Sequence, residues 1–150
     1  MNGRVDRMRL SVAMDYGIST IVYIGLESKS SRQNKSKYVT VEEISRECEF
    51  SKNHLIKIVH LLGKSDILHT IRGRRGGIVL GKPLADISLN EVIQLFQNEE
   101  KRMNGGRFQT DVRTVIEAPL LRARQNYQDT LKQTSFEDLV NQMESKRTEK

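Results

Sequence analysis

The stretch SKNHLIKIVHLLGKSDILHTIRGRRGGIVLGK, Ser51 to Lys82, holds seven basic residues against one acidic residue, Asp66. Its first half has two chemically different faces. Leu55, Ile58, Val59 and Leu62 recur at i, i+3, i+4 and i+7, the apolar stripe of an amphipathic helix, while Asn53, Lys57, His60 and Lys64 line the other side. Ser51 stands where an N-cap side chain would satisfy an unpaired backbone N–H, so the spacing predicts a helix from Ser51 to about Ser65. The second half changes period. Leu68-His69-Thr70-Ile71 and Ile78-Val79-Leu80 are β-prone runs separated by Arg72-Gly73-Arg74-Arg75-Gly76-Gly77, which predicts a hairpin with a glycine-rich tip carrying three arginines.

Working outward, Thr40 and Glu43 form a capping box that opens a short helix from Val41 to about Cys48, with a break at Glu49 and Phe50. Two short helices joined by a tight turn, the second one basic, have the layout of a helix-turn-helix, and the hairpin is then its wing. Upstream, Met14, Ile18, Ile21, Val22 and Gly25 or Leu26 place one apolar face on a helix from Leu10 to Leu26, and residues 28–37 offer no apolar side chain and read as an exposed loop. Downstream, Ser88 and Glu91 form a second capping box before Leu89, Val92, Ile93 and Phe96, a helix expected to close the small core.

Residues 97–109 break periodicity and read as a flexible linker. Beyond it Val112, Ile116, Leu120, Ala123, Tyr127 and Leu131 form a narrow seam on a long helix, kinked or restarted at Pro119. A narrow apolar seam is better buried against a second copy than left in water, so these six residues are the expected homodimer interface. The organisation is a winged helix-turn-helix domain over 8–96, a linker over 97–109, dimerisation helices over 110–143, and flexible tails at 1–7 and 144–150. The fold class is mainly α, formally α+β, with a two-stranded β wing and a long C-terminal dimerisation helix.

The chain carries a formal charge of +6, all of it inside 51–82, because the remaining residues balance at 18 of each sign. Basic charge confined to one segment is the footprint of a polyanion binder, since each neutralised phosphate releases condensed counterions. A membrane surface would attract it too, but the most apolar run, Ile21 to Leu26, is far below the ~20 residues that span a bilayer. Met1 to Arg7 lack the features of a secretory signal, so a cytoplasmic protein is expected. As the sole cysteine, Cys48 excludes an intramolecular disulfide and a multi-thiolate metal site from one chain. It reads as a small packed hydrophobe, with a redox switch as the alternative. His54, His60 and His69 lack metal-ligand spacing, and no nucleophile–base pair is visible, so neither a metal, a cofactor nor an enzyme is expected.

The expected partner is double-stranded DNA. Lys52, Asn53, His54 and Lys57 are the base-reading candidates, because the N-terminal residues of a recognition helix lie deepest in the major groove. Thr40 and Ser51, at helix N-termini, suit phosphates, and Arg72, Arg74 and Arg75 suit phosphates or a minor groove. A winged-helix module that binds a protein or structured RNA is the alternative.

Asp15-Tyr16-Gly17, Ser51-Lys52-Asn53-His54-Leu55, Arg72-Gly73-Arg74-Arg75-Gly76-Gly77 and Ser135-Phe136-Glu137-Asp138-Leu139-Val140 together resemble the Rrf2 family of bacterial regulators, which includes the NsrR, IscR and CymR types. The resemblance runs from Met8 to Val140 and is strongest toward the nitric-oxide-responsive NsrR branch. It implies a winged-helix dimer with a long C-terminal dimerisation helix, usually a repressor, and the two-fold symmetry of a dimer would require an inverted-repeat operator. Cluster-binding members carry three cysteines in the linker and the start of the long helix, whereas Gln97 to Thr114 holds neither Cys nor His. A regulator without an iron–sulfur cluster is therefore expected, its input a small-molecule effector near the linker, a protein partner, modification of Cys48 or changes in protein abundance. Asp15 matches a position that supplies an aspartate ligand in some relatives and reads here as a helix-end or dimer-contact residue. Glu49 stands where relatives often have Gly.

Overall fold

A computed structural model describes residues 11–30, 38–97 and 107–150. In chain order the elements are α1 (Val12–Ser30), α2 (Val41–Cys48), α3 (Lys52–Lys64), β1 (Leu68–Ile71), β2 (Gly77–Leu80), a 3-10 turn (Leu84–Asp86), α4 (Leu89–Gln97), α5 (Arg107–Lys132) and α6 (Phe136–Thr148). The fold is thus mainly helical with one two-stranded antiparallel sheet. The chain divides into two units, Met1–Pro83 and Leu84–Lys150.

In the first unit, α2 starts where the capping chemistry says it should. Thr40 is extended, its Oγ1 accepts from the Glu43 N–H at 3.2 Å, and Glu43 Oε2 accepts from the Thr40 N–H at 3.0 Å. The helix ends at Glu49, which sits in the left-handed region at φ 56°. That conformation costs a non-glycine residue about 1–2 kcal/mol. Hydrogen bonds oppose the cost: the Phe50 N–H donates to the Ser45 carbonyl at 3.0 Å, and Ser45 Oγ donates to the Phe50 carbonyl at 2.7 Å. A glycine would adopt the same turn without strain, which accounts for its appeal at this position.

Helix α3 packs on α1 and α2 through the predicted stripe, with Leu55, Ile58, Val59 and Leu62 all buried. Met14, Ile21, Ile24 and Leu26 of α1, Val39, Ile44 of α2, and Ile67, Leu68 and Ile78 are buried as well and complete the described core of this unit. Each large aliphatic side chain taken fully out of water contributes about 1.5–3 kcal/mol. The hairpin pairs in register from Leu68↔Leu80 to Ile71↔Gly77. Val39 extends it by an isolated bridge, its carbonyl accepting from the Ile78 N–H at 2.7 Å.

Two expectations for α1 need correction. The helix continues to Ser30, so 28–30 are helical rather than loop, and residues 31–37 lie outside the described residues. Ser28 and Ser30 turn their hydroxyls back onto the Ile24 and Leu26 carbonyls at 2.8 and 3.1 Å, so these polar side chains find their acceptors within the helix itself. Its buried face is Met14, Gly17, Thr20, Ile21, Ile24, Gly25 and Leu26, while Ile18 and Val22 are only half-buried.

In the second unit, Ser88 Oγ accepts from the Glu91 N–H at 3.0 Å at the start of α4. A short backbone clasp joins 87–89 to 134–136: the Leu89 N–H donates to the Thr134 carbonyl at 3.0 Å and the Phe136 N–H to the Ile87 carbonyl at 2.9 Å. Ile87, Val92, Ile93, Phe96, Phe136 and Val140 are buried here. Helix α4 packs on α5, and α6 on the 3-10 turn. The division falls after Pro83, so α4 groups with this unit, whereas the 8–96 range places it with the helix-turn-helix.

Helix α5 begins at Arg107 and runs as one helix through Pro119, without the restart that proline allows. Proline removes the donor to the Val115 carbonyl, but Val115 is 79% exposed, so water is available to replace it. Of the expected linker, Gln97 belongs to α4 and 107–109 to α5, while 98–106 lie outside the described residues, as do 1–7. Helix α6 opens on a capping box between Ser135 and Asp138 and reaches Thr148, so 144–148 are helical rather than a loose tail. Among the described residues, no helix is long and apolar enough to cross a membrane.

Candidate nucleic-acid interface

The first unit presents two neighbouring segments of exposed polar and basic side chains in sequence, α3 and the hairpin tip. On α3, Ser51, Lys52, Asn53, His54, Lys57, His60 and Lys64 are exposed on the side opposite the buried stripe. At the tip, Arg72, Arg74 and Arg75 are all exposed. The tip is shaped by its glycines: Gly73 takes φ +114°, and the Gly76 N–H closes the turn onto the Gly73 carbonyl at 3.0 Å.

Ser51 occupies the N-cap position of α3, but its side chain makes no capping hydrogen bond, contrary to expectation. A different donor, the N–H of Ser51 itself, finds its acceptor far away in the sequence. The Ser51 N–H donates to the Tyr16 hydroxyl at 3.2 Å. The Tyr16 ring lies stacked on Phe50 at 3.8 Å and 11°, and meets His54 edge-on at 6.1 Å and 73°. Tyr16 thus ties α1 to the turn and to the N-terminus of α3, the end that a recognition helix inserts. The sequence reading placed Tyr16 only within a family signature. An aromatic with a hydroxyl handle on the first helix is a usable signal, but its partner lies 35 residues away.

Lys52 is engaged rather than idle. Its Nζ lies 2.6 Å from Glu42 Oε1, with both side chains more than half exposed. The hydrogen bond from Lys52 holds the Glu42 carboxyl below the usual range. A base contact from Lys52 would exchange Glu42 for an acceptor on DNA. Thr40 is likewise committed: its N–H and hydroxyl oxygen serve the capping box, leaving its O–H proton for a phosphate.

His69 Nε2 lies 3.5 Å from Asp66 Oδ1 at the exposed start of the wing. Asp15 is exposed in the first turn of α1. Among the described residues no cluster of three or more His, Cys, Asp or Glu could hold a metal ion. Cys48 is half-buried in the last turn of α2, and burial first, then Glu47, pushes its thiol pKa up. Nearby Tyr23 is raised too, chiefly by burial and then by Glu27, Glu47, Glu43 and Cys48. Because the thiolate is the nucleophile, Cys48 is expected to react with iodoacetamide at pH 7 more slowly than glutathione does. An equal or faster rate, followed by mass spectrometry, would return Cys48 to the candidate redox residues.

On α5 of the second unit, the side chains of Val112, Ile116 and Leu120 lie outside the described ones. Ala123 is exposed, Tyr127 and Leu131 are half-buried, and Val115 and Leu121 add further exposed apolar surface at 79% and 53%.

Comparison with known proteins agrees with this geometry. Residues 10–142 match the family model of Rrf2, described as an iron-dependent transcriptional regulator. The chain is 35% identical over 92 residues to the HTH-type transcriptional regulator NsrR of Oceanobacillus iheyensis, a match covering 61% of this chain and 58% of that protein. It is 32% identical over 140 residues to NsrR of Shouchella clausii, covering 89% of each. Among solved structures, T. potens IscR is similar with a TM-score of 0.70 at 15% identity, over 92% of this chain and 90% of that one. CymR, the global cysteine regulator of B. subtilis, is similar with a TM-score of 0.66 at 19% identity, over 89% and 97%. At these identities the structural likeness shows the winged-helix fold.

The donor set does not fit a thiolate-held iron–sulfur centre, because Cys48 is the single cysteine of the sequence and its surroundings favour the protonated thiol. The remaining features, from α1 through the helix-turn-helix and wing to the first half of α6, fall within one continuous match, and the chain belongs to the Rrf2 family of transcriptional regulators.

Proposed function

We propose that this protein is a cytoplasmic, homodimeric repressor that grips an inverted-repeat site in duplex DNA and does so without an iron–sulfur cluster. The observation that carries the reading is the confinement of the whole net charge to 51–82, where α3 and the wing hold six of the seven basic side chains exposed. Homologues named HTH-type transcriptional regulators support the same reading. The apolar surface of α5, with Val115 and Leu121 exposed in a single chain, supports a second copy as its cover. Two-fold symmetry then presents two recognition helices about 34 Å apart, one turn of DNA. The regulatory input is then an effector molecule, a protein partner, modification of the free Cys48, or the abundance of the protein itself.

The test separates base reading from phosphate anchoring. A site selected from random duplexes is compared with random duplex and structured RNA across a salt series. Asn53→Ala is expected to weaken the selected site by roughly 1–3 kcal/mol and random duplex hardly at all, because Asn suits bidentate pairing with adenine. Arg74→Ala combined with Arg75→Ala is expected to weaken both duplexes and to reduce the salt slope by about 0.9 for each lost phosphate contact. RNA competing as well as the selected duplex would favour the RNA-binding alternative, and a monomer in light scattering at micromolar concentration would remove the dimer.

A further inference from the structure

We infer that Ile56 is a specificity residue that reads the C5 methyl of a thymine in the major groove, an inference that rests on the duplex-DNA reading above. Ile56 is 49% exposed in the middle of an otherwise polar surface, that of Asn53, Lys57 and His60. At about 100° per residue, Ile56 lies some 60° around α3 from Asn53 and 40° from Lys52, on the outer side and one turn further along. Leu55, its neighbour in sequence, lies about 100° around the helix and is fully buried.

Among the described residues, Ile56 is not one of the buried core side chains of the first unit. The inner stripe of Leu55, Ile58, Val59 and Leu62 already closes the core. A β-branched side chain lowers helix propensity, and its exposed apolar surface orders water without return. The flanking lysines make a poor seat for an apolar protein surface but a good one for a polyanion. Among the base edges of the major groove, one group is apolar, the thymine methyl, and it lies beside the hydrogen-bonding atoms that Asn53 and Lys57 would engage. An apolar side chain one turn along from an amide, on a cationic strip, matches that mixed surface.

The experiment uses the full chain. Duplexes are selected from a randomised pool with the wild-type protein, and each thymine of the selected site is then replaced in turn by deoxyuridine, which deletes the methyl and keeps O4. At one position per half-site the replacement is expected to weaken wild-type binding about fourfold, the size set by burying a single methyl. The same replacement is expected to leave Ile56→Ala binding unchanged. Random-duplex affinity, equal for both proteins, shows that the variant is intact. Deoxyuridine costing the two proteins alike, or costing nothing at every position, overturns the role of Ile56 and leaves the DNA reading standing. Failure to enrich any duplex overturns both.

Discussion

Gly76→Ala is expected to open the tip of the wing and to remove the wing's share of duplex affinity. A Cβ added at Gly76 would lie 1.9 Å from the Ile71 carbonyl oxygen and 2.9 Å from the Arg72 carbonyl carbon. Both obstacles are backbone, so no side-chain rotation relieves the clash. The chain must move, which sacrifices the Gly76 to Gly73 hydrogen bond and the neighbouring Ile71↔Gly77 pair. Overpacking against movable side chains costs about 1–3 kcal/mol, and a backbone clash belongs at or above the top of that range. Because the tip is at the surface, local opening limits how much of that cost reaches global stability. Binding suffers more, since Arg72, Arg74 and Arg75 lose their common scaffold. Urea melts together with a salt series on random duplex check this: the salt slope should drop at least as far as in the Arg74/Arg75 double variant. A wild-type slope with wild-type stability would show that the tip is not built this way. Gly73→Ala is the informative contrast, because it meets open space and suffers only the strain of φ +114°.

Phe136→Ala is expected to give the largest loss of stability of any substitution considered, about 3–5 kcal/mol. Phe136 is fully buried at the first position of α6, among the few large apolar side chains buried in the second unit. Its backbone N–H is hooked to Ile87, so the helix start cannot easily settle into the vacated volume. Truncation therefore loses the transfer free energy of the ring and leaves a cavity as well. Against the 5–15 kcal/mol that typically separates folded from unfolded domains, the loss is large. Equilibrium urea unfolding measures it, and a change below about 1 kcal/mol would mean that the site collapses around the smaller side chain.

Much of the site was legible because its determinants are local. The stripe of Leu55, Ile58, Val59 and Leu62 reports the inner face of α3 within two turns, Thr40 and Glu43 mark the start of α2 within four residues, and the arginine–glycine run marks the hairpin tip. The period of apolar residues and the reach of a capping side chain are both set by backbone geometry over a few residues, so they survive as sequence patterns. The same logic failed at Ser51, where a good capping residue stands at the right position but its side chain makes no capping hydrogen bond, and a remote phenol binds its own N–H.

What the sequence determined by itself was the helix-turn-helix with its basic wing, the placement of the charge excess, and the shortage of thiolates for a cluster. Tertiary structure alone decided how that apparatus is held. The buried face of α1 includes Gly17 and Thr20, which hydropathy counting passes over because one lacks a side chain and the other hides its hydroxyl on the Tyr16 carbonyl at 2.7 Å. The Glu42–Lys52 pair, and Tyr16 against Phe50 and Ser51, join residues 10 to 35 positions apart. Contacts at such separations depend on the path of the intervening chain, and residue type at either end does not encode that path.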